Sequence, residues 1–261
     1  MDYEFAAATH VGRVRSNNED AVAVNRTAKL ALLADGMGGY NAGEVASEMA
    51  VGKVRAELAR WLTQAGQHPL AAAVRQTIQQ CLDHANRAIL DAAHANPQYA
   101  GMGTTLVLAA FLGARLMLAH VGDSRCYRLR AGVLAQITRD HSWLQEQIDA
   151  GLLTRQQAAN SSSRNLVTRA LGVEEHMQAD INEFEVQPGD LYLLCSDGLT
   201  EMVKDAQILA LLEPPHSLQV KASGLIEAAN AAGGRDNISV ILAMAREPAP
   251  AQGPAATGAQ A

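Results

Sequence analysis

Four aspartates stand at the rims of apolar, strand-like runs, and their carboxylates are the residues best placed to do chemistry. The run Leu30–Ala34 stops at Asp35-Gly36, Leu116–Val121 stops at Gly122-Asp123, and Leu191–Cys195 stops at Ser196-Asp197-Gly198. The fourth, Asp236, comes just before the run Ile238–Leu242. A last strand antiparallel to the other three would begin at the sheet edge where they end, and the four carboxylates would converge on one rim. Like charges that close cannot all stay ionised unless cations bind them. Oxygen-only ligands select hard cations, so Mg²⁺ or Mn²⁺ is expected, and two such ions would make a hydrolytic centre.

Two further segments fit that chemistry. Arg15-Ser16-Asn17-Asn18-Glu19-Asp20 sets a guanidinium four residues before a carboxylate pair. The planar fork of Arg matches phosphate oxygens, and Glu19 and Asp20 could hold metal-bound waters. In Asp35-Gly36-Met37-Gly38-Gly39 the glycines let backbone approach a ligand closely. An Asp there could bridge two metals, with the Gly36 carbonyl as a further ligand. Each segment alone also reads as ordinary structure: a surface ion pair, a turn that starts a helix, or turn aspartates, with Arg235-Asp236-Asn237 as a hairpin turn. Gly103-Thr104-Thr105 opens a strand and is given no catalytic role. The joint pattern carries the weight.

The elements that must position these residues follow from periodicity and breakers. Strands are expected near 3–9, 20–25, 29–34, 104–112, 114–121, 124–130, 133–138, 178–186, 190–195 and 237–245. Helices are expected over 43–62, with Val45, Ala46, Met49, Ala50 and Val54 on one face, and over 69–94, with Leu70, Val74, Ile78, Leu82 and Ile89. Further helices fall at 142–150, 154–159, 204–213 and 216–232. Residues 140–172 interrupt the strand series, and their polar loop 160–164 reads as a mobile part of an insertion. The tail 247–261 is rich in Ala, Pro, Gly and Gln and reads as disordered. The class is α+β, with two groups of antiparallel strands and helices outside. The period alone does not separate this from other α+β layouts.

Composition bounds the rest. Of 261 residues, 48% are hydrophobic and 18% charged, as in ordinary soluble domains, and one domain of about 240 residues can bury a large core. The net charge of -6 and only ten aromatic residues argue against a nucleic-acid partner. Cys81, Cys126 and Cys195 are odd in number and widely spaced, which reads as reduced thiols in the cytoplasm. The acidic start lacks a signal peptide's basic region, and no apolar run approaches the ~20 residues of a membrane span.

The ordered set Arg15…Asn18-Glu19-Asp20, Asp35-Gly36-Met37-Gly38-Gly39, Gly103-Thr104-Thr105, Gly122-Asp123-Ser124-Arg125, Ser196-Asp197-Gly198-Leu199 and Arg235-Asp236-Asn237-Ile238-Ser239-Val240 resembles the metal-dependent Ser/Thr protein phosphatases of the protein phosphatase 2C, or PPM, family. Singly the motifs are weak signals; in family order across residues 15–240 they are specific. The compact length is like that of bacterial members. The resemblance implies a four-layer α-β-β-α sandwich of two mainly antiparallel sheets, over residues 1–246, with a flap insertion at about 142–170. It implies two core Mn²⁺ or Mg²⁺ ions, with Asp35 bridging, Gly36 giving its carbonyl, and Asp197 and Asp236 completing the second site. A third, weaker site would use Asp123 with Asp197. Arg15 would bind the phosphate, and Glu19 and Asp20 would orient metal-bound water. Asn237 sits beside a ligand with no contact assigned. The implied reaction is direct hydrolysis of phosphoserine and phosphothreonine by a metal-bridging water, with phosphoproteins and a bacterial Ser/Thr kinase as partners and the enzyme a monomer. Some members carry a His after the Asp-Gly pair; here that place is Met37, which cannot donate a proton. His10 stands where many bacterial relatives have Asp. His141 matches a segment before the flap and reads first as a capping or packing histidine.

Competing readings are weaker. Cys81-Leu82-Asp83-His84-Ala85-Asn86-Arg87 has the Cys-x₅-Arg spacing of cysteine phosphatases, but it lacks glycines and lies in a helical pattern. No Asp-x-Asp nucleophile motif and no P-loop occur. A non-catalytic phosphoprotein-binding module on the same fold would be favoured by loss of a metal-site aspartate, and none is lost.

Overall fold

The apolar runs are continuous because the strands they form are covered on both faces. The computed structural model describes residues 1–39, 42–66, 69–158 and 166–247. Strands β1 (Asp2–His10), β2 (Asp20–Asn25) and β3 (Leu30–Met37) precede helices α1 (Ala42–Ala65) and α2 (Ala71–Ala95). Strands β4 (Gly103–Thr104), β5 (Leu106–Leu112), β6 (Arg115–Val121), β7 (Arg125–Arg130) and β8 (Val133–Gln136) follow. Short helices α3 (Trp143–Asp149) and α4 (Arg155–Ala158) come before β9 (Asp180–Glu185) and β10 (Leu191–Cys195). The chain ends with α5 (Asp197–Thr200), α6 (Asp205–Leu212), α7 (Leu218–Ala231) and β11 (Ile238–Arg246).

One sheet has the order β1-β11-β10-β7-β8 and the other β2-β3-β5-β6-β9, with β4 added beside β3. All these pairings are antiparallel. The two-residue period of a strand then sorts side chains between two interfaces. On β3, Leu30, Leu32 and Ala34 pack with α1 and α2, whereas Ala31 and Leu33 enter the space between the sheets. On β10, Leu191, Leu193 and Cys195 join the core under α6 and α7, whereas Tyr192 and Leu194 face the other sheet. Phe111 and Tyr192 meet edge to face between the sheets, with centroids 5.4 Å apart. The outcome is the four-layer α-β-β-α sandwich.

The expected elements are present with small shifts at their ends. Leu70 is an exception to its expected place on the inner helix face: it precedes α2 in extended backbone and is 78% exposed. The periodicity reached one residue too far, because the helix starts only after it. Two short elements carried no periodic signal, α5 and a 3₁₀ turn at Pro97–Tyr99 that the Asn96 side chain caps. In the insertion, Ser142 caps α3 by accepting from the Gln145 N–H, and Ser142 pairs with Val167 so that the two ends of the insertion meet. The polar loop 160–164 and the tail beyond Glu247 lie outside the described residues.

Candidate active site

The antiparallel register builds the acidic rim. Asp20 and Asp35 are direct cross-strand partners on β2 and β3. Cys195 pairs with Val240, so Asp197 just past β10 and Asp236 just before β11 come to the same edge. Asp123 follows β6, which runs in the same direction as β3 through their shared neighbour β5. Backbone must approach closely here. A Cβ on Gly36 would lie 2.0 Å from the Gly43 carbonyl oxygen, and one on Gly198 would lie 1.9 Å from that of Asn237. The two glycines, one in β3 and one in α5, are therefore packing requirements of the rim.

The electrostatics are those of a site built for positive charge. Burial pushes the Asp35 carboxyl well above the ordinary range, and the charges of Asp20, Asp197, Asp123 and Asp236 push it further. Burial likewise raises Asp197 strongly, with Asp123, Glu201, Asp236 and Asp20 adding to it. Asp20 and Asp123 are each pushed up to about 6, chiefly by burial. Repulsion between buried carboxylates is relieved by protonation or by bound cations. Asp20 also carries a buried Oδ1 with no hydrogen-bond partner, beside an Oδ2 that accepts from Ser196 Oγ at 2.8 Å. An all-oxygen donor set with an unsatisfied carboxylate oxygen fits hard divalent cations.

Arg15 reaches the same rim. Its Nη2 lies 2.7 Å from Asp236 Oδ2, and its side chain is half exposed. Burial pulls the guanidinium pKa down, but Asp236, Glu19 and Asp35 outweigh it and hold the net shift upward. Glu19 is raised by burial, against its bond from Asn17. Thus Arg15, Glu19, Asp20, Asp35, Gly36, Asp123, Asp197, Asp236 and Asn237 all lie at one end of the sandwich.

Several supporting residues were given no role from sequence. Thr104 Oγ1 donates to the Asp35 carbonyl, and Thr105 Oγ1 accepts from the Asp35 N–H. The segment given no role thus fixes the backbone of the central aspartate. Ser196 Oγ links Asp20 to the Ser239 N–H, and Ser47 Oγ donates to the Glu19 carbonyl. Only Ser196 adjoins a rim residue in sequence; the others reach theirs from 28 to 70 residues away. Arg125 forks onto Asp140, with Nη2 to Oδ2 at 2.6 Å, and so ties the segment after Asp123 to the start of the insertion. His10 accepts from the Gly12 N–H and closes the turn after β1.

His141 packs rather than caps. Its ring stacks on His120 with centroids 4.7 Å apart and planes 17° from parallel, and Asp180 lies 3.6 Å from its Nε2. Three such groups could suggest a metal site. The stack argues against it, because an imidazole lone pair lies in its ring plane and two stacked planes do not meet at one ion. The Gly122 N–H also donates to His141 Nδ1 at 3.2 Å, which leaves the proton of the neutral ring on Nε2. Burial and the neighbours His120 and Arg169 lower the His141 pKa to about 4, so the ring is neutral at pH 7. Cys81 sits in α2, 3% exposed, with its thiol pushed up to about 11 by burial and Glu57, which leaves it a poor nucleophile.

Comparisons with known proteins agree with this geometry. The family model described as protein phosphatase 2C matches residues 9–227. The serine/threonine phosphatase stp of Listeria innocua is 39% identical over 249 residues, covering 93% of this chain and 95% of that one. The crystal structure of the Mycobacterium tuberculosis serine/threonine phosphatase PstP/Ppp superposes with a TM-score of 0.85 at 39% identity, over 95% of this chain and 100% of that one. The catalytic domain of PstP in complex with 2 manganese ions superposes with a TM-score of 0.82 at 39% identity, over 94% and 99% of the two chains. With the family model matching residues 9–227 and a relative 39% identical over nearly its whole length, this chain belongs to the protein phosphatase 2C family.

Proposed function

We propose that this protein is a metal-dependent serine/threonine phosphatase acting on phosphoserine and phosphothreonine in proteins, with the acidic rim as its reaction centre. The carrying observation is Asp35 at the centre of the rim, its carboxyl raised by burial and by the charges of Asp20, Asp197, Asp123 and Asp236, with the Arg15 guanidinium beside Asp236. Asp35 and the Gly36 carbonyl would hold the core cations together with Asp197 and Asp236, and Asp123 with Asp197 would offer a third, weaker site. When bound, two Mn²⁺ or Mg²⁺ ions supply the Lewis-acid charge that makes a water nucleophilic at neutral pH. Arg15 takes the phosphoryl oxygens with its planar fork and balances the charge that develops on them. Glu19 and Asp20 accept hydrogen bonds from water in the cleft and orient it. Met37 has no proton to give, so the leaving seryl or threonyl oxygen is not protonated from that position.

Residues 1–246 form the catalytic domain, which the pairing of β1 with β11 from Asp2↔Arg246 to His10↔Ile238 supports. The insertion at about 142–170 borders the site through the Arg125–Asp140 pair. Among the described residues no helix is long and apolar enough to cross a membrane. The three cysteines are free and buried, which supports work in the cytoplasm, and the substrates on this reading are the phosphorylated targets of a Ser/Thr kinase. A purely phosphoprotein-binding role is not favoured, because every rim carboxylate is present.

The test is hydrolysis of a phosphothreonine peptide with Mn²⁺, with Mg²⁺ and with EDTA. Turnover that requires metal supports the reading. Turnover that survives EDTA refutes it.

A further inference from the structure

We propose that Asn237 is the positioning residue that holds the Arg15 segment against the carboxylate rim. This rests on the reading of Arg15 as the phosphate-binding group. Asn237 is buried, and its side chain makes three hydrogen bonds. Its Oδ1 accepts from the Glu19 N–H at 2.8 Å. Its Nδ2 donates to the carbonyls of Val11 and Asn17, both at 2.9 Å. Those three backbone groups bracket the stretch that carries Arg15, between the end of β1 and the start of β2.

The chemistry of the bracket demands an amide. One acceptor must face an N–H while two donors face carbonyls, which only Asn or Gln supplies, and Gln is one methylene too long. An Asp would set an oxygen against two carbonyl oxygens. An Ala would leave all three backbone groups without these partners.

The side chain of Asn237 serves the Arg15 segment, whereas its backbone serves the metal ligand. The Asn237 N–H donates to Asp236 Oδ1 at 2.8 Å, and Arg15 holds Asp236 Oδ2. A side-chain substitution therefore leaves the backbone bond to Asp236 in place and loosens the Arg15 segment. The segment keeps other anchors. Arg13 N–H donates to the Gly234 carbonyl at 2.7 Å, and Asn18 Nδ2 donates to Thr9 Oγ1 at 2.8 Å. The expected result is a misplaced Arg15 in a folded, metal-competent protein.

The experiment compares wild type, Asn237→Ala, Arg15→Ala and the double variant, with Mn²⁺ and a phosphothreonine peptide. Inorganic phosphate serves as competitive inhibitor, and Mn²⁺ affinity is read by calorimetry. Loss of a positioned guanidinium predicts that Asn237→Ala raises KM and the phosphate Ki together by roughly tenfold, with any fall in kcat no larger than that of Arg15→Ala. Mn²⁺ affinity stays within about threefold of wild type, and the double variant is no weaker than Arg15→Ala alone. A fall in kcat at unchanged KM, or effects that multiply in the double variant, would overturn the proposal. An Arg15→Ala variant with unchanged KM and Ki would instead overturn the reading of Arg15 on which it rests. Should Asn237→Ala not fold, Asn237→Ser is judged by the same KM and Ki criteria.

Discussion

Asp123→Asn should make the metal-free protein more stable at neutral pH. Asp123 is 9% exposed, and burial together with Asp140 pushes its carboxyl up to about 6. An unfolded-chain Asp titrates near 4, and each pH unit of difference is worth about 1.4 kcal/mol. A raised carboxylate contributes stability that is full below the unfolded value and is lost as pH rises through the folded one. Above about pH 6 the metal-free wild type therefore carries a cost of about 3 kcal/mol at this residue, and at pH 5 about half of that. The Asn variant carries no such charge, and its new N–H groups face the carboxylates of the rim. In a chain of this size the gap corresponds to roughly 6–12 °C in Tm at pH 7.5. Calorimetric unfolding of chelator-stripped protein at pH 5 and 7.5 measures it. A variant less stable than wild type at pH 7.5, or a gap that does not change with pH, would refute the reasoning. Saturating Mn²⁺ should narrow the gap, because the wild-type charge then has a partner.

Three other substitutions probe separate parts of the account. Gly198→Ala places a methyl 1.9 Å from the Asn237 carbonyl oxygen and should cost roughly 3 kcal/mol or more in urea unfolding. His141→Phe keeps a ring against His120 but removes the acceptor for the Gly122 N–H, and urea unfolding should show a loss of about 1–3 kcal/mol. Cys81→Ala should leave kcat/KM within about twofold, since the thiol is buried and raised. A collapse of activity in a folded Cys81→Ala protein would count for a cysteine mechanism.

The layers were legible because burial on two faces leaves long apolar runs, and each rim aspartate interrupts one of them. Asp35, Asp123, Asp197 and Asp236 are visible for that reason. What brings them together is register, as in the pairing of Cys195 with Val240, and no local pattern encodes register. Thr104, Thr105 and Ser196 stood in the motif segments without a role because a hydroxyl beside a strand end looks the same whether or not it holds a neighbour's backbone. The hydrogen bonds of Asn237 span more than 200 residues of sequence, which places them beyond any window of periodicity. Leu70 shows the opposite error, in which helical spacing extended past the true start of α2.

The most direct test of the central claim is turnover of a phosphothreonine peptide by Asp236→Asn against wild type, both at saturating Mn²⁺ and with matched circular dichroism. Loss of several kcal/mol of transition-state stabilisation predicts a kcat/KM lower by about a thousandfold or more. A folded Asp236→Asn protein within about tenfold of wild type would contradict a reaction run by cations on the acidic rim.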